Sequence, residues 1–492
     1  ELSVERVTEL QERKCNCYSW ATRRISQLAN ELTKELKALE LSKAQIGDGG
    51  HPPCPIIIAK VGDLTRNVDS SEYDPNHVAI GPYNYPRPQS KNLHLAMEND
   101  KLASLQLVLT AAKVERPGVT VDIYINELTC LEKSVRKCYA NMFDDMTGDQ
   151  FVRMLLLDGC YIISRLVDLP HRACTQSAGV APGTAEAGVP SANRAEALAV
   201  VRDVFFLAEN QIPFFVLEKI GELTTMDGKD RVIKEIAEYA LILMSLQKYI
   251  VGSPAMVVPE LMVPGNLLHL LHMHLLKPLA TSVSPTATVN GANPVSVRRW
   301  RSATEYSFAG VTFKRRSMSE PGLLRCILDV ELVGGGTLEV PELDIDGETW
   351  RLLRNLMELE QRNRETVGSH VTAYCVFMSQ VACTTKDVEL LWKKGIIVHS
   401  HGNNDEVAKC FADLCKGIQF DPNDPGCNYL RETCSKLEKR SQSYWRRWMA
   451  WLRRKYFSNP WLAVGLLAAA IGLVCTVVQA VYSALSYKHG GN

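Results

Sequence analysis

The chain has 492 residues, and Lys+Arg and Asp+Glu both number 55, so the net charge is zero and whole-chain attraction to nucleic acid is excluded. At 46% hydrophobic and 22% charged residues it is globular rather than disordered. The 15 cysteines are scattered, with no C-x-x-C pair and no Cys/His zinc spacing, a pattern of free thiols in a reducing compartment rather than a disulfide framework. No Asn begins an N-x-[ST] sequon, which a long ectodomain would often carry.

Residues 1–50 predict a separate helical segment. Ile25, Leu28, Leu32, Leu36 and Leu39 recur at spacings of three and four and make one apolar stripe. Gly47–Pro55 breaks the chain, and "IIIAKV" after it reads as a short strand or the start of the next element. Residues 91–170 read mostly as helices, with Thr147 or Asp149 as a cap before "FVRMLLLDGCYIISRL". Two stretches rich in small residues, Pro170–Asn193 and Leu279–Val297, read as flexible insertions. The segments "AGVTFKRR" and "LLRCILDVELVGGGTLEVPELDID" alternate in part, and Gly334–Gly336 predicts a hairpin or small sheet. Helices resume at Trp350. The expected architecture is mainly α with a small β patch (α+β): one large, mostly helical domain over 51–456.

No charged residue lies between Lys455 and Lys488. The apolar run Pro460–Leu485 exceeds the ~20 residues that cross a bilayer core. A transmembrane helix is therefore expected over 457–487, followed by a short tail, 488–492. Trp461, Tyr482 and Tyr487 suit the headgroup regions. Arg446, Arg447, Arg453, Arg454 and Lys455 precede the run, which places the large domain in the cytosol, the layout of a single-pass, tail-anchored protein. This basic, Trp-rich stretch suits anionic lipid. Gly465, Ala469, Gly472, Thr476 and Gln479 form one stripe of small and polar residues through which two membrane helices could associate, as a homo- or hetero-oligomer.

The segment Asp203–Ile220, "DVFFLAENQIPFFVLEKI", carries Glu209, Asn210 and Gln211 between two apolar runs. Pro213 lacks an N–H and biases Ile212 away from helix, so the helix before it should stop near Gln211 and leave carbonyls free. Asn210 and Gln211 can donate to those carbonyls. Glu209 would need a cation or several donors, because an unpaired buried charge is costly. The expectation is a structural polar network of Glu209, Asn210, Gln211 and Pro213 rather than a catalytic set.

Other candidates read as structural too. His269, His272 and His274 invite a metal, but no local Cys or carboxylate completes a ligand set. Asp344 and Asp346 on a strand would share a face and could do acid–base work. The plainer reading is a strand, a turn at Gly347, and a capped helix starting near Thr349. No nucleophile elbow, phosphate loop, dinucleotide fingerprint, H-E-x-x-H or kinase set is present. No catalytic residue, cofactor or metal is assigned.

Seven blocks occur in order: "YDPNHVAIGPYNY" (Tyr73–Tyr85), "MENDK" (Met97–Lys101), "LLLDGCYII", "AENQIPFFVL", "SATEYSFAGVTFK" (Ser302–Lys314), "LRNLMELEQ" (Leu353–Gln361) and "FSNPWLAVGLLAAAIGLVCTVVQAVYS". Together they resemble the plant family called domain of unknown function 247, over nearly the whole chain after residue 55. The resemblance implies a largely helical domain with a C-terminal membrane helix, no established enzymatic activity, and no active site to carry over. Some grass members are linked to self-incompatibility. Where members often read "GPYHH", this chain has Asn84 and Tyr85. Where members often carry a Glu after "DGCF", it has Tyr161 and then Ser164. The expected function is non-enzymatic: recognition or scaffolding of an unknown protein partner in cell signalling. The alternatives are a hydrolase-like enzyme using Glu209, Asp344 or Asp346 with a histidine, and an extracellular ligand or receptor with the large domain outside.

Overall fold

The computed structural model describes residues 56–85, 91–169, 200–252, 264–282, 299–319, 324–442 and 460–489, apart from 335, 401 and 425. The chain divides into two units, Glu1–Pro55 and Ile56–Asn492. The expected N-terminal helix, the insertion Pro170–Asn193 and the basic residues Arg446, Arg447, Arg453, Arg454 and Lys455 lie outside the described residues.

The fold is mainly helical with small strand patches. Its helices are α1 (Lys91–Glu115), α2 (Val121–Arg136), α3 (Gly148–Leu166), α4 (Phe214–Thr224), α5 (Gly228–Leu246), α6 (Leu267–Ser282), α7 (Ala303–Phe308), α8 (Thr349–Arg362), α9 (His370–Val381), α10 (Thr385–Lys393), α11 (Asn404–Leu414), α12 (Arg431–Ser441) and α13 (Pro460–His489). A further helical stretch runs from 200 to 206.

Helix α3 begins where the sequence places it. Thr147 Oγ1 accepts from the Gln150 N–H, and Gln150 Oε1 accepts from the Thr147 N–H, a reciprocal capping box. Nearly every residue from Phe151 to Leu166 is buried, so α3 is an interior helix rather than an amphipathic surface one. It packs on α1, α2 and α4. Gly159 permits the approach of α4, since a Cβ there would lie 2.3 Å from Ile220 Cδ1.

The strands form three small sheets. β1 (Ile250–Val251) pairs antiparallel with β3 (Arg325–Cys326). β2 (Thr312–Arg316), β5 (Thr337–Pro341) and β4 (Glu331–Val333) lie in that order, β2 parallel and β4 antiparallel to β5. The glycine turn thus closes a β4–β5 hairpin. β6 (Leu343–Ile345) pairs parallel with β7 (Ile397–His399), a strand in one of the breaks of the helical run expected after Trp350. "IIIAKV" is not a strand; Ile58 makes one bridge to Tyr139. Of the second expected insertion, Leu279–Ser282 belong to α6 and Leu279 is buried, while residues 283–298 lie outside the described residues.

α13 is one continuous helix. Its apolar side chains from Val464 to Tyr482 that are described are exposed. The expected transmembrane span is nevertheless not borne out among the described residues, where no helix is long and apolar enough to cross a membrane. On the small-residue stripe, a Cβ at Gly465 or Gly472 would meet nothing within 4 Å, and Thr476 Oγ1 donates to the Gly472 carbonyl at 2.8 Å. Ala469 and Gln479 are exposed.

Candidate functional site: a buried polar clamp

Residues 56–85 have almost no regular secondary structure, only short single turns at Asp63–Arg66, Ser70–Glu72 and Pro82–Asn84. Yet Ile56, Ile58, Val61, Tyr73, Val78 and Ile80 are buried. A buried irregular segment leaves backbone N–H and C=O groups without ladder partners, and each must find another. Here side chains from the helices and from the turns that follow them supply partners, and the segment is a strap held by a polar clamp.

Three of its members are the polar residues of the "AENQIP" block. Glu209, Asn210 and Gln211 are at most 1% exposed. Glu209 Oε1 accepts from the Val61 N–H at 2.6 Å, and its Oε2 pairs with Arg66 at 2.8 Å. Asn210 Oδ1 accepts from the Ile80 N–H at 2.6 Å and from Asn84 Nδ2 at 2.9 Å. Its Nδ2 donates to the carbonyls of Val78 and Asp203. Gln211 Nε2 donates to the carbonyls of Val204 and Leu207, and its Oε1 accepts from the Leu267 and Leu268 N–H groups at the start of α6. The helical stretch ends at 206, earlier than Gln211, and Asn210 and Gln211 fold back to take the carbonyls it leaves. Pro213 caps the start of α4.

The clamp is larger than the sequence reading expected. Asp203 Oδ2 accepts from three successive N–H groups, Asn76, His77 and Val78, at 2.8, 2.6 and 3.2 Å, and Arg351 donates to Oδ1 at 3.3 Å. Burial pushes the Asp203 pKa up, against the pull of those N–H groups and of Arg351. Asp158 of "LLLDGCYII" accepts from the Gly81 N–H at 2.8 Å and from Lys101 Nζ of "MENDK" at 2.5 Å; Lys101 also donates to the Ala79 carbonyl. From α8, Asn355 donates to the Glu72 carbonyl and Arg351 to that of Ser71. Asn363, one residue past α8, accepts from the Ile57 N–H and donates to its carbonyl. α8 is buried from Thr349 to Glu360 although it carries Arg351, Arg354, Asn355, Glu358 and Glu360. Polar side chains this deep persist only when paired.

The remaining candidates do not join this site. Asp344 pairs with Lys248 at 2.9 Å. Asp346 Oδ1 accepts from the Glu348 N–H and from Thr349 Oγ1, and α8 starts at Thr349 as in the plainer reading, but its N-cap residue, Glu348, makes no side-chain capping hydrogen bond. Among the histidines, His272 Nε2 lies 2.8 Å from Glu360 Oε1, both fully buried, and Glu360 also accepts the Val371 and Thr372 N–H groups that open α9. His269 Nδ1 accepts from the Gly265 N–H at 3.0 Å. His274 is buried on the same helix. Among the described residues no three His, Cys, Asp or Glu are placed to hold a metal ion.

His269 gives a pH prediction. Burial, with His272 beside it, lowers its pKa from 6.5 to about 3. Between those values the unfolded chain carries one more proton than the folded chain at this site. Stability therefore rises with pH across that window, by up to about 1.4 kcal/mol per pH unit, and is fully present above 6.5. Urea midpoints measured from pH 4 to pH 6.5 are expected to rise less steeply in His269→Leu than in the parent chain. Equal slopes would remove His269 as the source.

The family model described as "Plant protein of unknown function" (DUF247) matches residues 58–475. The chain belongs to that DUF247 family. It is similar to UPF0481 protein At3g47200 of Arabidopsis thaliana, 24% identical over 453 residues that cover 88% of each chain. No solved structure matches. In this DUF247 chain the blocks "YDPNHVAIGPYNY", "MENDK", "LLLDGCYII", "AENQIPFFVL" and "LRNLMELEQ" meet at the clamp: the first is the later part of the strap, and the other four supply Lys101, Asp158, Glu209, Asn210, Gln211 and Asn355. Asn84, one of the departures from the usual family pattern, is also bound there through Asn210.

Proposed function

We propose that this chain is a non-enzymatic, membrane-anchored recognition or scaffold protein whose large helical domain lies in the cytosol. The observation that carries the reading is the commitment of its buried polar groups. Glu209, Asp203 and Asp158 each spend their oxygens on backbone N–H groups and a cation inside the fold, and Glu360 spends its own on backbone N–H groups, Thr372 and His272. Catalytic groups need a free face toward a substrate, and these are turned inward. Such a clamp makes a rigid body, which suits the presentation of a binding surface.

The anchoring part rests on sequence and on the continuity of α13. The stretch from Pro460 to Tyr487 has no charged residue and is one helix. The basic residues before it in sequence, Arg446, Arg447, Arg453, Arg454 and Lys455, support a cytosolic domain by the positive-inside rule. The stripe Gly465, Ala469, Gly472, Thr476 and Gln479 is the surface on which a second membrane helix would pack. A role in signalling such as self-incompatibility follows from family analogy.

Glycosylation acceptors inserted between Pro170 and Asn193, and separately appended after Asn492, test the topology in plant cells. Modification of the appended acceptor alone is the expected result. Modification of the inserted one would place the domain outside and favour the receptor reading. If neither is modified and the chain washes off membranes with carbonate, the anchor is refuted.

A further inference from the structure

One segment beside the β2–β5–β4 sheet takes no part in the clamp. β2 ends in Arg315-Arg316, and the sequence continues Ser317-Met318-Ser319-Glu320-Pro321. Among the described residues β2 is an edge strand, paired only with β5. Its last residue, Arg316, stands opposite Pro341, which has no N–H to give. The ladder is therefore weakest just before the serines. Beyond it Ser317 and Ser319 are exposed while Met318 between them is buried. That alternation turns both hydroxyls outward, and the short basic run before them matches the extended form in which such sites are read.

We infer that Ser319 is a phosphorylation site, and that phosphoserine there docks a protein that grips phosphate in an Arg cluster, of the 14-3-3 type. Arg316 lies three residues before Ser319, Arg315 four before, and Pro321 two after it. The upstream cations suit a kinase that selects basic substrates. The proline cannot extend a strand and turns the chain out of a reader's groove. In the transfer, Ser319 Oγ forms the new O–P bond with the γ-phosphorus of ATP, the bond to the β–γ bridging oxygen breaks, ADP leaves, and the hydroxyl proton passes to the kinase's carboxylate.

The charges around Arg316 explain how modification would free the segment. Arg316 pairs with Asp329 at 3.1 Å, Glu331 at 2.5 Å and Glu339 at 3.9 Å. A phosphate near Arg316 adds about −1.5 to −2 of charge beside three carboxylates. It competes for the guanidinium and repels its partners, and the end of β2 peels from β5. Arg315, half exposed and paired with Glu342, leaves more easily still.

The inference needs the domain in the cytosol, as proposed above, but its test with purified protein does not. Full-length chain in detergent, with phosphoserine encoded at position 319, is titrated with a purified 14-3-3 dimer. Binding on the order of a hundredfold tighter than to the unmodified chain is expected. Pro321→Ala should weaken it, and so should Arg316→Ala; β2 ends at Arg316, five residues before Pro321 in sequence, so the former leaves every residue of β2 unchanged and separates recognition from unfolding. Equal binding of modified and unmodified chain overturns the docking. So does binding of a phosphorylated 312–324 peptide without binding of the phosphorylated full chain. If a basic-directed kinase with ATP leaves Ser319 unmodified by mass spectrometry, the modification itself is overturned.

Discussion

Asp203→Asn is expected to destabilise the domain by about 3 kcal/mol or more. The substitution keeps the size of the side chain and changes one oxygen to NH2. Asp203 is 0% exposed, with one oxygen facing the Asn76, His77 and Val78 N–H groups and the other facing Arg351. Whichever way the amide turns, its NH2 meets donors: three backbone N–H groups in one orientation, a guanidinium in the other. Arg351 also loses a buried counter-charge, although Glu348 lies 3.6 Å away. Asp344→Asn is the control. Its pair with Lys248 is exposed and carries about 0–1 kcal/mol. Urea denaturation of the purified chain, followed by fluorescence of the buried Trp300 and Trp350, reads both. If the two variants shift the midpoint equally, Asp203 does not hold the strap.

Part of this clamp was legible beforehand, and the part that was not has a physical cause. The need of Asn210 and Gln211 for nearby carbonyls was legible in kind but not in place: Pro213 put the helix end near Gln211, whereas the helical stretch ends at 206 and the carbonyls taken are those of Asp203, Val204 and Leu207. The capping box at Thr147 is legible because both partners lie within three residues. Glu209's requirement for donors was legible in kind but not in identity, since Val61 is 148 residues away in sequence. The strap itself has no hydrophobic period to read, because its burial is enforced by side chains of other elements. α8 escaped as an interior helix for the opposite reason: its Arg, Asn and Glu residues give it a surface composition, and only their partners show that it is buried. The signal that could have found it is the spacing of Arg351, Asn355 and Glu358, which puts three polar groups on one helical face beside Leu352, Leu356 and Leu359. β7 is three residues long and lies between helices, so its alternation is too brief to read.

Strap and clamp also pack tightly at Gly81, and Gly81→Ala is expected to cost several kcal/mol. Two effects add there. Gly81 has φ +72°, a conformation in which Ala is strained by ~1 kcal/mol. A Cβ at Gly81 would also lie 2.5 Å from the Gln211 carbonyl oxygen, a backbone atom that Tyr139 Oη already binds at 3.0 Å. Neither side can give way cheaply. Moving Gln211 disturbs its bonds to Leu207 and to the start of α6, and moving Gly81 breaks its N–H bond to Asp158, which also anchors Lys101. Gly118→Ala separates the two effects. Gly118 has φ +102°, and a Cβ there would meet nothing within 4 Å, so it carries the strain without the clash. Hydrogen exchange is the second readout. In Gly81→Ala the N–H groups of Val61, Val78 and Ile80 should lose protection together, because one displaced strap releases Glu209, Asp203 and Asn210 at once. In Gly118→Ala they should keep it. A Gly81→Ala chain as stable as Gly118→Ala, with the strap still protected, would show that the strap is held by its apolar contacts and that the polar clamp merely accompanies it.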